Sequence, residues 1–188
     1  MFQNFSDMSA SHQTPLRIDA VREEMAHGGF DAVLVPRTDA FRGEYVAASS
    51  ERLAWLTGFT GSAGMAAIGT ERALLLVDGR YTLQAKAQVP TRLFEIAQVP
   101  GANLEDWLTE AVPEGGVVGF DPWLHSLHEI ETLTEKLKSK AIRLKPTNRN
   151  LVDAVWANER PAPPNGPITA QPQNLAGKSA SDKLAQIQ

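Results

Sequence analysis

The sequence predicts an α/β fold of three layers, a mixed sheet of six strands between two layers of helices. Three observations carry this. Short apolar runs alternate with helical patterns from about residue 14 to residue 158, the order in which strands and covering helices follow one another in layered α/β domains. Runs such as Ala32-Val33-Leu34-Val35 are apolar without interruption, so the strands they form are covered on both faces. Two runs, Met65 to Ile68 and Ala73 to Val77, are separated only by Gly69-Thr70-Glu71-Arg72. They read as an antiparallel hairpin, which makes the sheet mixed.

Taken in order, Thr14-Pro15 reads as N-cap and first helical position, because proline there loses no needed hydrogen bond. Leu16, Ile18, Val21 and Met25 give this helix an apolar side, and Gly28-Gly29 stops it. Asp31 to Arg37 is a strand, and Thr38 to Ser49 a polar loop. Ser50 to Thr57 is a short helix with Leu53 and Leu56 inward, ended by Gly58. After the hairpin, Tyr81 to Val89 reads as a helix cut off by Pro90, and Leu93 to Val99 as a strand turned by Pro100-Gly101. Asn103 caps a helix whose stripe is Leu104, Trp107, Leu108, Ala111 and Val112, and Pro113 ends it. Val117 to Phe120 is the fifth strand. Ser126 and Glu129 form a capping box for a helix carrying Leu127, Ile130, Leu133 and Leu137. Ala141 to Leu144 is the sixth strand, and Asn150 to Trp156 a last short helix.

Outside this block the character changes. Residues 1–13 read as a flexible tail, without the basic start and apolar block of a signal peptide. Residues 14–158 form the domain. Residues 159–188 read as a linker and the truncated start of a second domain: Arg160 to Pro172 contains five prolines, and a helix begins at Ser179 only about two turns before Gln188.

Composition excludes several classes. With 43% apolar and 21% charged residues the chain is of ordinary globular type. A net charge of -4 offers no basic field to nucleic acid. The absence of cysteine removes disulfides, thiolate metal sites and thiol nucleophiles, and fits a reducing compartment. No apolar run approaches the ~20 residues of a membrane span.

The most informative stretch is Leu53 to Tyr81. It holds Gly58-Phe59-Thr60-Gly61-Ser62-Ala63-Gly64 before the hairpin and Asp78-Gly79-Arg80-Tyr81 after it. This stretch, with Asp39-Ala40, Glu44-Tyr45, Glu105-Asp106-Trp107-Leu108, Gly119-Phe120-Asp121-Pro122, Asn150 to Asp153 and Trp156, resembles the N-terminal domain of cytosolic Xaa-Pro aminopeptidases (aminopeptidase P), in the creatinase and prolidase group. The resemblance runs over about residues 14 to 188. It implies a ribonuclease H-like arrangement and a non-catalytic role in a cytoplasmic hydrolase that removes the residue before a proline. It also implies two divalent metal ions, usually manganese, held far downstream by two aspartates, a histidine and two glutamates. None of those ligands can be carried onto this chain. Implied partners are the chain's own downstream domains, proline-containing peptides and a second copy in a homodimer. Many relatives have histidine where this chain has Phe41.

The local candidates are weighed on their own chemistry. His125 and His128 could share a helix face, but no third ligand is apparent, so they read as solvated or capping residues. His12 and His27 follow no pattern. The glycine loop lacks the lysine of a phosphate-binding loop and precedes a strand, so nucleotide binding is disfavoured. A helix C-cap and a tight strand entry explain it, or a loop shaped to face another domain. Ser62 is not in a nucleophile elbow. Asp39, Glu44, Tyr45, Asp78, Arg80, Tyr81 and Asp121 are polar groups at element ends. Asp78 and Arg80 read as a surface ion pair or turn, or else Arg80 and Tyr81 face a substrate entrance, with Phe59 as an apolar wall. Two functions are therefore expected. The first is the N-terminal domain of an Xaa-Pro aminopeptidase, shaping substrate access and subunit contact. The second is a stand-alone peptide- or histone-binding module of the same fold.

Overall fold

The computed structural model describes residues 11–188. The first ten residues of the expected tail lie outside the described residues; Ser11–Gln13 form a 3-10 turn.

The chain runs α1 (Thr14–Gly28), β1 (Ala32–Pro36), α2 (Arg52–Thr57), β2 (Gly64–Gly69), β3 (Ala73–Asp78) and α3 (Thr82–Gln88). It continues through β4 (Glu95–Val99), α4 (Leu104–Ala111), β5 (Val117–Phe120), α5 (Leu127–Leu137), β6 (Arg143–Pro146) and α6 (Leu151–Trp156). Two short helices, α7 (Gln173–Ala176) and α8 (Ala180–Ile187), lie in the C-terminal segment. The six strands form one sheet in the order β4-β3-β2-β1-β5-β6. β2 is antiparallel to both of its neighbours and every other pairing is parallel. The sheet is therefore mixed, and β2 alone runs against the rest.

Alternation of side chains along the strands makes two cores. Val33, Val35, Ala66, Ile68, Ala73, Leu75 and Val77 point to one face, which is covered by α1, α2, α3 and α6. Ala32, Leu34, Ala67, Leu74 and Leu76 point to the other, under α4 and α5. Three layers result, as the two-sided apolar strands require.

Among the local expectations that failed, five have a plain physical reason. Thr14 is not a cap. The 3-10 turn runs straight into α1, so Thr14 is its first residue, buried, with its Oγ1 unpartnered. Leu16 is exposed, because two residues along a helix is about 200° of rotation from Ile18. Leu127, the first residue of α5, sits to the side of the Leu133–Leu137 stripe and is also exposed. Asn103 holds the N-cap position of α4, but its side chain donates to Asp106 Oδ2 at 3.1 Å instead of accepting from the helix. The sixth strand starts at Arg143, because Ala141 closes the preceding turn in the left-handed region, φ 52°. The capping box is present: Ser126 accepts from Glu129 N, and the Glu129 carboxylate accepts from Ser126 N at 2.7 Å. No helix among the described residues is long and apolar enough to cross a membrane.

Candidate functional site

The residues singled out in the sequence gather at one edge of the sheet. Pro36, at the end of β1, pairs with Met65 near the start of β2, and Met65 pairs with Leu76 near the end of β3. The start of the reversed strand thus lies beside the carboxyl ends of the parallel ones. Asp39, Glu44 and Tyr45 follow β1, Gly58 to Gly64 precede β2, Asp78 to Tyr81 follow β3, and Asp121 follows β5.

At the hairpin end, the two segments touch as their antiparallel neighbours dictate. Ser62 Oγ and Tyr81 OH are 2.6 Å apart. This hydrogen bond holds the Tyr81 phenol below its usual pKa, with the nearby Arg80 charge adding to it. Asp78 Oδ1 accepts from both Arg80 N (2.9 Å) and Arg80 Nε (2.8 Å), and these bonds lower its pKa in the same way. The Arg80 guanidinium lies 5.3 Å from the centre of the Tyr81 ring. Arg80 is therefore both a surface ion-pair partner and an exposed cation beside an aromatic ring.

Phe59 does not face outward. It is fully buried and meets Tyr81 edge to face, with centroids 5.8 Å apart. Its ring lies against the two later glycines of the loop. A Cβ on Gly61 would meet the ring at 2.2 Å, and one on Gly64 would meet it at 3.0 Å. Gly58 is different: φ is 84°, the left-handed helix cap. One glycine ends a helix and two make room for a phenylalanine. The expected apolar wall is part of the core, because the loop folds back over it.

A cleft of about 910 Å³ opens beside the hairpin end, among the loops that follow β1, β5 and β6. Its position follows from topology. The connection after β1 leads to α2 on one face, and the one after β5 leads to α5 on the other, so the two diverge and leave a crevice. Phe41, Tyr45 and Trp123 line it and are 91%, 90% and 76% exposed. Among the described residues no other Phe, Tyr or Trp is exposed. Asp39 is buried and shapes the first loop, its Oδ1 accepting from Phe41 N (2.9 Å) and Gly43 N (3.2 Å). That turn places Arg42 in the left-handed region and aims it across the cleft edge. Its guanidinium forks onto both oxygens of Glu129, at 2.7 and 2.8 Å. The Arg42 hydrogen bond is the chief reason the Glu129 carboxyl titrates as low as about 2, with the Ser126 bonds adding to it. Glu44 is exposed, and its carbonyl accepts from Arg37 Nη1.

Sequence reasoning named Asp121, Asn150 and Asp153 but missed Arg52, which joins them in the polar floor of the cleft. Arg52, only 7% exposed, donates through Nε and Nη2 to the two oxygens of Asp153, at 2.7 and 2.9 Å. Asn150 caps α6 through Asp153 N and donates to Asp121 Oδ2 at 2.8 Å. Asn150 had a local cap signal; Arg52 had none, since its partner is 101 residues away.

His125 also departs from the expected solvated state. It is half-buried, its Nε2 has no partner, and its ring stands edge-on to Phe120. Burial holds its pKa below the usual value. His128 is exposed, and the adjacent Glu129 is already engaged. No group of three or more His, Asp or Glu side chains among the described residues has metal-ligand spacing.

Sheet order and edge define the class of protein: a three-layer α/β/α domain with one reversed strand, whose loops converge where the parallel strands end. Residues 17–154 match the model of the Creatinase/Prolidase N-terminal domain, and the chain belongs to that family. Xaa-Pro aminopeptidase 2 of Rattus norvegicus is 36% identical over 174 residues, which are 93% of this chain and 26% of the relative. The chain thus spans about a quarter of the length of the curated relatives it matches. A solved X-prolyl aminopeptidase of Caenorhabditis elegans, described as a cytosolic enzyme with a di-nuclear active site, superposes with a TM-score of 0.79 at 27% identity. The match covers 93% of this chain and 30% of that one. The N-terminal domain of the cytoplasmic peptidase PepQ from Mycobacterium tuberculosis gives 0.57 at 25% identity, over 74% of this chain and 98% of that one.

Proposed function

We propose that this chain is the non-catalytic N-terminal domain of a metal-dependent, cytoplasmic Xaa-Pro aminopeptidase, and that its loop edge shapes the approach of proline-containing peptides and the contact between subunits. The observation that carries this is the concentration of aromatic and cationic groups along one edge of the sheet. Phe41, Tyr45 and Trp123 stand at the cleft, and Arg80 and Tyr81 at the hairpin end. Aromatic rings give large contact area at small entropic cost, and a guanidinium can hold a carboxylate or carbonyls. The similarity to Xaa-Pro aminopeptidases supports the class of parent protein. The two metal ions of such a parent, manganese by family resemblance, would be held by residues other than those described here, and no chemical step is assigned to this domain.

Arg80→Ala in the complete enzyme tests the reading. The side chain is exposed and water also reaches its partner Asp78, so this domain keeps its fold and melting temperature. The expected result is a lower kcat/KM for a Xaa-Pro peptide or a changed subunit assembly. Unchanged kinetics and assembly would sink the proposal.

A further inference from the structure

Past α6 the chain returns to the domain before it leaves. Ala157 takes φ 35°, a conformation that residues with a Cβ seldom adopt, and the turn lays Arg160 back against the body. Arg160 Nε donates to the Ser49 carbonyl at 2.6 Å. Its Nη1 lies 2.8 Å from Asp153 Oδ2, an oxygen that also accepts from Arg52 Nη2. One carboxylate thus holds two arginines, one from the start of α2 and one from the base of the C-terminal segment. Pro161 follows directly, and Pro163 and Pro164 line the cleft. Proline-rich chain is extended and semi-rigid, so a direction set at its base carries along it.

We propose that Arg160 is an anchor that sets the direction in which segment 161–172 leaves the domain, past the rim of the cleft between the loops after β1, β5 and β6, where Pro163 and Pro164 form part of the wall. The anchor suits arginine. Two acceptors on different elements are met by two nitrogens of one planar group, whereas a lysine offers a single nitrogen. The inference is independent of the enzymatic reading, since it concerns only contacts within this chain.

Backbone 15N relaxation on the 188-residue chain tests it. In the unaltered protein, the heteronuclear NOE of Ala162 and Asn165 should approach that of β1 amides and stand well above that of Ala185 to Gln188. In Arg160→Ala both should fall to the terminal values while the β1 and β5 resonances stay in place. Arg160→Lys should recover less than half of the loss. Ala162 and Asn165 as mobile as the terminus in the unaltered chain would overturn the proposal, whether or not a variant folds. So would full retention of order in Arg160→Ala or full recovery in Arg160→Lys.

Discussion

Asp153→Ala should be the most damaging single change at the cleft. The Arg52 and Asp153 side chains are 9% and 22% exposed, and their bond is bidentate. Arg52 Nη1 is already buried without a partner. Removing the carboxylate would strand the rest of that guanidinium and free Arg160 as well. Breaking a buried pair from one side costs about 3–5 kcal/mol. Because water reaches part of Asp153, the lower end, about 3 kcal/mol, is expected. For a chain of this size that is roughly 6–12 °C in melting temperature. Urea unfolding followed by circular dichroism gives the free energy, and calorimetry the temperature. Asp153→Asn should cost nearly as much, since it keeps the shape but not the charge. Replacing Arg52 by Met in the Asp153→Ala background should recover part of the loss by removing the stranded cation. A cost below about 1 kcal/mol, the range of exposed pairs, would refute the reasoning. So would a double variant less stable than Asp153→Ala alone.

Two further outcomes follow from single contacts. Gly61→Ala should destabilise by about 1–3 kcal/mol, because the new Cβ collides with the Phe59 ring. In a Phe59→Leu background the same change should cost much less, and equal costs in urea titrations would contradict the packing argument. The Glu129 carboxyl is lowered to about 2 in the folded state, so the stability it contributes is present above its unfolded pKa of about 4.5 and is lost as pH falls toward 2. Arg42→Ala should therefore lower the urea midpoint at pH 6, with the gap to the unaltered protein closing between pH 4.5 and 2; a gap that widens on acidification would exclude this role.

The identity of most elements was legible locally. Two-sided apolar runs gave the strands, the four-residue link gave the hairpin, and Ser126 with Glu129 gave a helix start, because pattern and capping act within a few residues. The contact between Ser62 and Tyr81 could be anticipated too, since the two ends of a hairpin are adjacent whatever surrounds them.

What lay beyond reach depended on partners distant in sequence. Phe59 reads as an exposed wall until the loop is seen folded over it. Leu127 counts as core by spacing, but the sheet covers only one side of its helix. The cleft itself is a product of strand order, arising where the connections from β1 and β5 part to opposite faces. Its floor joins Arg52 to Asp153 across 101 residues and Arg160 to Ser49 across 111. By itself, the sequence determined which segments would be strands and helices, where most of them would start, and that apolar residues would cover the sheet on both sides. Only the tertiary structure decided which charges meet and which rings stay exposed, because pairing and burial are set by what packs against a residue and not by its neighbours in the chain.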